Sequence, residues 1–217
     1  MKGLILKDFI NLKKSVKLFV ILIVIYGFMA VSSGDGSFFS TIFTVLVAVL
    51  TLSVYSYDES AHWDSFALTL PVTKELFVLE KYVIMILLTA IGVVIGMLFG
   101  FALYLTGSID KILPTLTSCA VGAAVAIIFY SIIIPFVIKL GVEKSRILLF
   151  AVYIIPFAIT VLVSKALKAG SLQIPTVIID IAKTSMKYAY VIVPAILIIA
   201  LIISYMISVN IFRKKEF

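Results

Sequence analysis

Long apolar blocks, separated by short clusters of lysine and acidic residues, follow one another along the whole chain. Within a block the apolar residues are continuous. Barrel strands would alternate every second residue, so the pattern predicts helices. A helix needs about 20 apolar residues to cross a hydrocarbon layer roughly 30 Å thick, and only helices or closed barrels satisfy their backbone groups there. Six spans are expected, at about 18–31, 38–55, 82–106, 116–140, 147–164 and 189–212. The predicted fold is all-α: a polytopic membrane protein with six transmembrane helices in a single domain over 1–217, without a separate soluble domain or an internal repeat. The first span is short and draws on residues to either side. It reads as an uncleaved first helix rather than a signal peptide, because so many spans follow.

Composition agrees, with 63% hydrophobic residues, 13% charged residues and a mean hydropathy of +1.26. No soluble domain of this length has such a balance. The net charge of +7 sits on the flanks of the spans and does not form a nucleic-acid surface. Thirteen of the 18 Lys and Arg residues fall on one side of the predicted topology. By the positive-inside rule that side, with both termini, is cytoplasmic. The connection from Lys165 to Lys187 runs against the rule, since Lys165, Lys168, Lys183 and Lys187 fall outside; its apolar stretch 174–181 suits the outer interface.

Before the first span, Leu4, Ile5, Phe9 and Leu12 recur at helical spacing among lysines. This predicts a helix lying along the inner surface and turning into the first span, its lysines near anionic headgroups. The plainer alternative is a basic flank that only sets topology.

The stretch 56–81, SYDESAHWDSFALTLPVTKELFVLEK, is a charged interruption carrying the one Trp. Ser56 and Glu59 form a capping-box pattern, which predicts a helix starting there with Asp58 and Glu59 at its positive end. Trp63, Phe66, Ala67 and Leu70 then mark an apolar face, with His62 and Asp64 among the polar positions. Pro71 ends this helix and Thr73 caps the next. A short helix of this kind, with an aromatic among acidic residues, suits a pocket on another protein; the alternative is a helix packing only on its own bundle.

On the second span Ser40, Thr41, Thr44, Thr51 and Tyr55 share one helical face, and on the fifth Tyr153, Phe157, Thr160 and Ser164 form a parallel stripe. These are candidates for a translocation path or a dimer seam; equally, they pack helices by modest hydrogen bonds. Gly92, Gly96 and Gly100 make two overlapping GxxxG patterns, a groove that more often packs helices within one subunit. Pro135, Pro156 and Pro194 each remove a backbone donor inside a span. Cys119 is the one cysteine and reads as a small packing residue. The spans carry almost no ionisable residue at depth, which argues against a proton- or ion-coupled carrier and favours a hydrophobic or amphipathic cargo. His62 is the one histidine, too little for a metal site, and no nucleophile, base and orienting group converge. There is no phosphate-binding G-x-x-x-x-G-K-[ST] loop, so this chain is not expected to be an enzyme and any ATP hydrolysis must reside on another polypeptide.

Leu4, Lys7 and Asp8 at the start, then Tyr57, Asp58, Glu59 and Trp63, then Leu70, Pro71, Val72, Lys74, Lys81 and Tyr82, resemble the permease subunits of ABC-2 type exporters. The likeness is to the compact bacterial branch that includes permeases for phenol-soluble modulins and related peptides, and with the six-span layout it extends over nearly the whole chain. The resemblance implies a subunit of the bacterial cytoplasmic membrane that pairs with a second copy or a related permease. It implies that the connection between spans two and three docks, as a coupling helix, on an ATP-binding cassette ATPase holding ATP and Mg. The ATPase contacts would then be Asp58, Glu59, His62, Trp63, Asp64 and Phe66, and spans two and five would form the path or dimer seam. The expected function is export of a hydrophobic or amphipathic cargo, a peptide being favoured. The alternatives are an immunity or sensory membrane protein and an ATP-independent channel or carrier.

Overall fold

The structure is a computed structural model that describes residues 2–33, 36–67, 69, 73–107, 111–145, 147–148 and 188–215, and positions 151, 154, 158, 161, 162 and 165. Six helices account for most of them: α1 Lys2–Ser33, α2 Gly36–Ser60, α3 Trp63–Ala67, α4 Lys74–Leu105, α5 Leu113–Leu140 and α6 Ala189–Arg213. No strand occurs among the described residues. Four helices, α2, α4, α5 and α6, are long and apolar enough to cross a membrane, and α1 makes a fifth if its two halves count as one span. The expected fifth span, 147–164, and the connection 165–187 lie outside the described residues save for isolated positions. The fold is an all-α polytopic membrane protein.

α1 bends by 52° between Gly3–Lys17 and Phe19–Ser32, so the amino-terminal half and the first span are two arms of one helix. The apolar residues expected along the first arm are divided between the bundle and the open surface. Leu4, Asp8 and Leu12 are the buried positions, whereas Phe9 is exposed. Their spacing of four residues is one helical stripe, and a carboxylate sits in its middle.

α2 is the hub, packing on α1, α4 and α5. Its hydroxyl stripe is spent inside the bundle: Ser40 Oγ donates to the Gly96 carbonyl at 3.3 Å, Thr41 Oγ1 to the Ser118 carbonyl at 3.1 Å, and Thr44 Oγ1 to Ser40 one turn back at 3.0 Å. Facing it on α4 are Gly92 and Gly96. A Cβ on Gly92 would lie 2.9 Å from the Thr44 carbonyl oxygen, and one on Gly96 would lie 3.1 Å from both Cys119 Sγ and the Ser40 carbonyl. The glycines thus pack helices within the subunit, letting backbones meet where any side chain would hold them apart. Cys119 is fully buried in that seam.

Helix α4 has 32 residues, about 48 Å at 1.5 Å per residue, against a hydrocarbon layer of roughly 30 Å. All its charged residues, Lys74, Glu75, Glu80 and Lys81, lie in the first turns. The uncharged stretch from Tyr82 to Leu105 is long enough to cross such a layer by itself. Thr73 is its N-cap, its side chain accepting from the Leu76 N–H, as expected from the sequence. Tyr82 Oη lies 2.6 Å from Ser204 Oγ and 2.8 Å from Ser208 Oγ of α6, and Ser204 donates to the Ser131 carbonyl of α5. These bonds clasp α4, α5 and α6 together.

α6 runs antiparallel to α4, since Ser204 meets Tyr82 and Arg213 meets Glu75. α5 and α6 run in the same direction, their facing residues rising together from Ile128 and Ala200 to Lys139 and Ile211. The end of α5 and the start of α6 therefore lie at opposite ends of the bundle. Pro135 and Pro194 are each accommodated inside their helices.

Candidate functional site

One end of the bundle gathers the first arm of α1, the end of α2, α3, the start of α4 and the ends of α5 and α6. There two lysines and two aspartates form a closed ring. Lys81 Nζ lies 2.5 Å from Asp58 Oδ2 and 3.1 Å from Asp8 Oδ2, and Lys7 Nζ lies 2.6 Å from Asp58 Oδ1 and 2.8 Å from Asp8 Oδ1. Each lysine touches both aspartates, so three helices far apart in sequence are tied at one point. Asp8 and Lys81 are all but inaccessible, Asp58 is 4% exposed, and Lys7 retains partial access. Glu80 is fully buried beside the ring, its Oε2 3.2 Å from Lys81 Nζ.

Removing such groups from water costs several kcal/mol per ion, which only near-complete pairing offsets. Burial tends to raise the Asp8 carboxyl, but the neighbouring Glu80 and the Lys81 and Lys7 cations outweigh it and hold Asp8 below its ordinary range. Burial likewise tends to lower the Lys81 ammonium, and the carboxylates of Glu80, Asp58 and Asp8 outweigh it and hold the cation above its ordinary range. Burial is the leading cause for Glu80 and, with the neighbouring Asp8, pushes it up to about 8 against the pull of Lys81.

The ring sits directly beneath α3. Lys7 Nζ stands 4.4 Å from the centre of the Trp63 ring, and Lys81 Nζ lies 5.7 Å and 5.5 Å from the Tyr55 and Phe77 rings. Further ties reach α6: Asp64 pairs with Lys215 at 3.4 Å, and Glu75 with Arg213 at 2.6 Å. Ser15 Oγ and Tyr57 Oη are 2.9 Å apart, a second link from α1 to α2. A cavity of about 70 Å³ runs from Asp64 and Lys215 to Asp58, Lys81 and Tyr55. Tyr55 Oη and Trp63 Nε1, both buried, have no hydrogen-bond partner among the described residues.

The sequence-predicted contacts divide. His62 and Phe66 face outward, Phe66 being 53% exposed. Trp63 and Asp64 are half-buried, and Trp63 packs on the core with Ala67 rather than presenting itself. Asp58 is a correction: it is enclosed in the ring and unavailable to a partner. The capping box is a second correction. α2 continues to Ser60, placing Ser56 inside a helix where its carbonyl accepts from Ser60 Oγ. Glu59 Oε2 instead accepts from the Val142 N–H at 2.6 Å. It can do so because Gly141 follows α5 at φ +82, where a Cβ would stand 2.5 Å from Glu59 Oε1. The break between α2 and α3 falls at His62, which adopts φ +48.

Of the stripe on α2, Ser40, Thr44, Thr51 and Tyr55 are buried and Thr41 is half-buried, directed at α4 and α5. Ser40, Thr41 and Thr44 make hydrogen bonds inside the bundle, and Tyr55 lines the small cavity at its end. Tyr153, Phe157, Thr160 and Ser164 lie outside the described residues. Asp8 and Glu80 were the residues hardest to place from sequence. Asp8 appeared only in the Lys7–Asp8 opening, though its position between Leu4 and Leu12 on one stripe marks it as inward-facing. Glu80 had no distinguishing signal. Among the described residues no cluster of His, Cys, Asp and Glu is placed to hold a metal. The site is suited to mechanical linkage: it joins the displayed surface of α3 to α1, α2, α4 and α6 through charge.

The family model for ABC-2 family transporter proteins matches residues 3–213. The chain belongs to that family. No curated protein and no solved structure matches it.

Proposed function

We propose that this ABC-2 family chain is the membrane-spanning permease subunit of an ATP-binding cassette exporter, with ATP and Mg held by a separate ATPase chain that docks on α3. The observation that carries the reading is the construction beneath α3. Phe66 of this short helix and His62 before it are displayed, while Trp63 meets Lys7 of α1, Asp64 meets Lys215 just past α6, and Asp58 near the end of α2 meets Lys81 of α4. A push on such a helix moves α1, α4 and α6 together. The distribution of Lys and Arg supports placing this end, with both termini, in the cytoplasm of a bacterial cell, where an ATPase can reach it.

The cargo is hydrophobic or amphipathic, with a peptide of the phenol-soluble modulin kind favoured, and the working unit contains a second copy or a related permease. This reading rests on the family and on the placement of charge: in α2, α4, α5 and α6 every Asp, Glu, Lys and Arg lies within about the first or last two turns, leaving no described ionisable group at mid-membrane to hold a charged solute. Since the α2 stripe is consumed by internal packing, the cargo surface belongs to other faces of the bundle.

The experiment is purification of the tagged protein in mild detergent, with mass spectrometry of bound proteins and an ATPase assay. A stoichiometric ATP-binding chain, lost from Phe66→Asp while the permease remains folded, is expected. A chain recovered alone, or Phe66→Asp retaining the ATPase at parental stoichiometry, would overturn the docking assignment and favour a stand-alone channel, immunity or sensory role.

A further inference from the structure

The ring beneath α3 and the Glu80 beside it do not balance together if every group carries its usual charge. Lys7 and Lys81 supply two positive charges, whereas Asp8, Asp58 and Glu80 supply three negative ones within a fully or nearly buried space. The oxygens disclose where the excess lies. Asp58 has both oxygens satisfied by lysines. Among the described residues, Asp8 Oδ1 and both oxygens of Glu80 are buried without a hydrogen-bond donor of adequate geometry, although Lys7 approaches Asp8 Oδ1 and Lys81 approaches Glu80 Oε2. Two carboxylates facing one another cannot satisfy each other, because neither has a hydrogen to give. A single proton held between them would pair one oxygen of each, and Lys81 Nζ stands 3.2 Å from Glu80 Oε2.

We infer that Glu80 carries a proton and donates it in a hydrogen bond to Asp8, making the five-residue cluster an electrically neutral proton-binding site. The ligand is the hydron itself. Its binding adds a tie between α4 and the first arm of α1, beside the Lys81–Asp8 pair, and its loss leaves three carboxylates against two ammonium groups. The inference stands apart from the docking assignment, since it concerns only groups within this chain.

The neighbours of Glu80 are consistent with that assignment. α1 presents Lys7 and Asp8, α2 presents Asp58 and Tyr55, and α4 itself contributes Lys81. On α6, Tyr205 packs edge-on against Tyr82 and Arg213 engages Glu75. On α5, Tyr130 is buried in the core and Lys139 lines the α5–α6 groove. Neither helix brings a further cation to the pair. The direction of pH dependence follows from burial, which raises Glu80 from an ordinary value of 4.5 to about 8. The folded form retains a proton that the unfolded chain releases, so stability from this site is full below the unfolded value and declines as pH rises through about 8. Asp8 is shifted the opposite way, and its contribution fades only on acidification.

The test is an infrared titration of the full-length protein in nanodiscs, beside the glutamine variant Glu80→Gln. Glutamine keeps the shape and an N–H donor toward Asp8 but cannot titrate. The carbonyl stretch of a neutral carboxylic acid is expected in the parent at pH 6.5, fading by pH 9, and absent from Glu80→Gln. Thermal unfolding gives a second readout: the parent midpoint should fall between pH 6 and 9, while that of Glu80→Gln should stay flat. An acid band missing from the parent at pH 6.5, or present undiminished in Glu80→Gln, would overturn the inference, as would parallel pH profiles of unfolding. If Glu80→Gln does not fold, the parental titration alone still decides, because a band invariant from pH 6.5 to 9 contradicts it.

Discussion

Two regions hold the same helices together by opposite means. In the middle of the bundle, α2 and α4 meet through Gly92 and Gly96 against Ser40 and Thr44, with backbones so close that a Cβ would lie at or below 3.1 Å from a carbonyl. At one end α1, α2 and α4 meet through Lys7, Asp8, Asp58 and Lys81, with full charges all but sealed from water. The seam gains from many weak contacts and tolerates small losses. The ring is a small set of mutually dependent terms, each needed to compensate another. The seam therefore suits a fixed scaffold, and the ring suits a junction whose state can change.

The largest effect is expected where one ring member compensates several others. Lys81→Met keeps much of the stem volume but leaves Asp8, Asp58 and Glu80 with Lys7 alone; breaking buried pairing of this kind costs about 3–5 kcal/mol. Thermal unfolding in detergent should show a large loss or no folded protein, and a parental midpoint would remove the ring from the stability account. Gly92→Ala should come next, at about 1–3 kcal/mol for overpacking, because the obstructing atoms are the Thr44 backbone rather than a side chain able to turn aside. A neutral Gly92→Ala would show that the seam is looser than its geometry. Smaller again is the coupling between Lys7 and Trp63. A double-mutant cycle with Lys7→Ala and Trp63→Ala should return about 0.5–2 kcal/mol for a cation over a partly desolvated ring, whereas additive losses would mean that proximity carries no energy. Smallest is Lys215→Ala, whose partner Asp64 is partly exposed, with a loss of about 0–1 kcal/mol that added salt should erase.

The contrast also explains what the sequence disclosed. Gly92, Gly96 and Gly100 lie four residues apart, so a local pattern announces the seam. Thr73 and the apolar runs are legible for the same reason: each depends on neighbours within a turn or along one helix. The ring joins residues 51 and 73 positions apart, and no periodicity connects them. The family-like Lys7–Asp8 opening and Lys81 carry the hint, but the capping-box pattern and the same resemblance assign Asp58 to the docking helix. Ser56 and Glu59 matched a local capping rule and lost to tertiary alternatives: α2 had no breaker before His62, and Glu59 found the Val142 N–H instead. Glu80 gave no sign at all, since its burial depends on Asp8 arriving from another helix.

Trp63 is turned inward against Lys7 of the charge ring while Phe66 stays exposed, which on the proposed function makes Trp63 the link between α3 and the membrane helices. The most direct measurement is the ATP turnover of the complex co-purified with Trp63→Ala, compared with the parental complex in the same lipid. Retention of the ATPase chain with loss of the permease's effect on its turnover is the predicted result; turnover matching the parent, or release of the ATPase by Trp63→Ala alone, would contradict it.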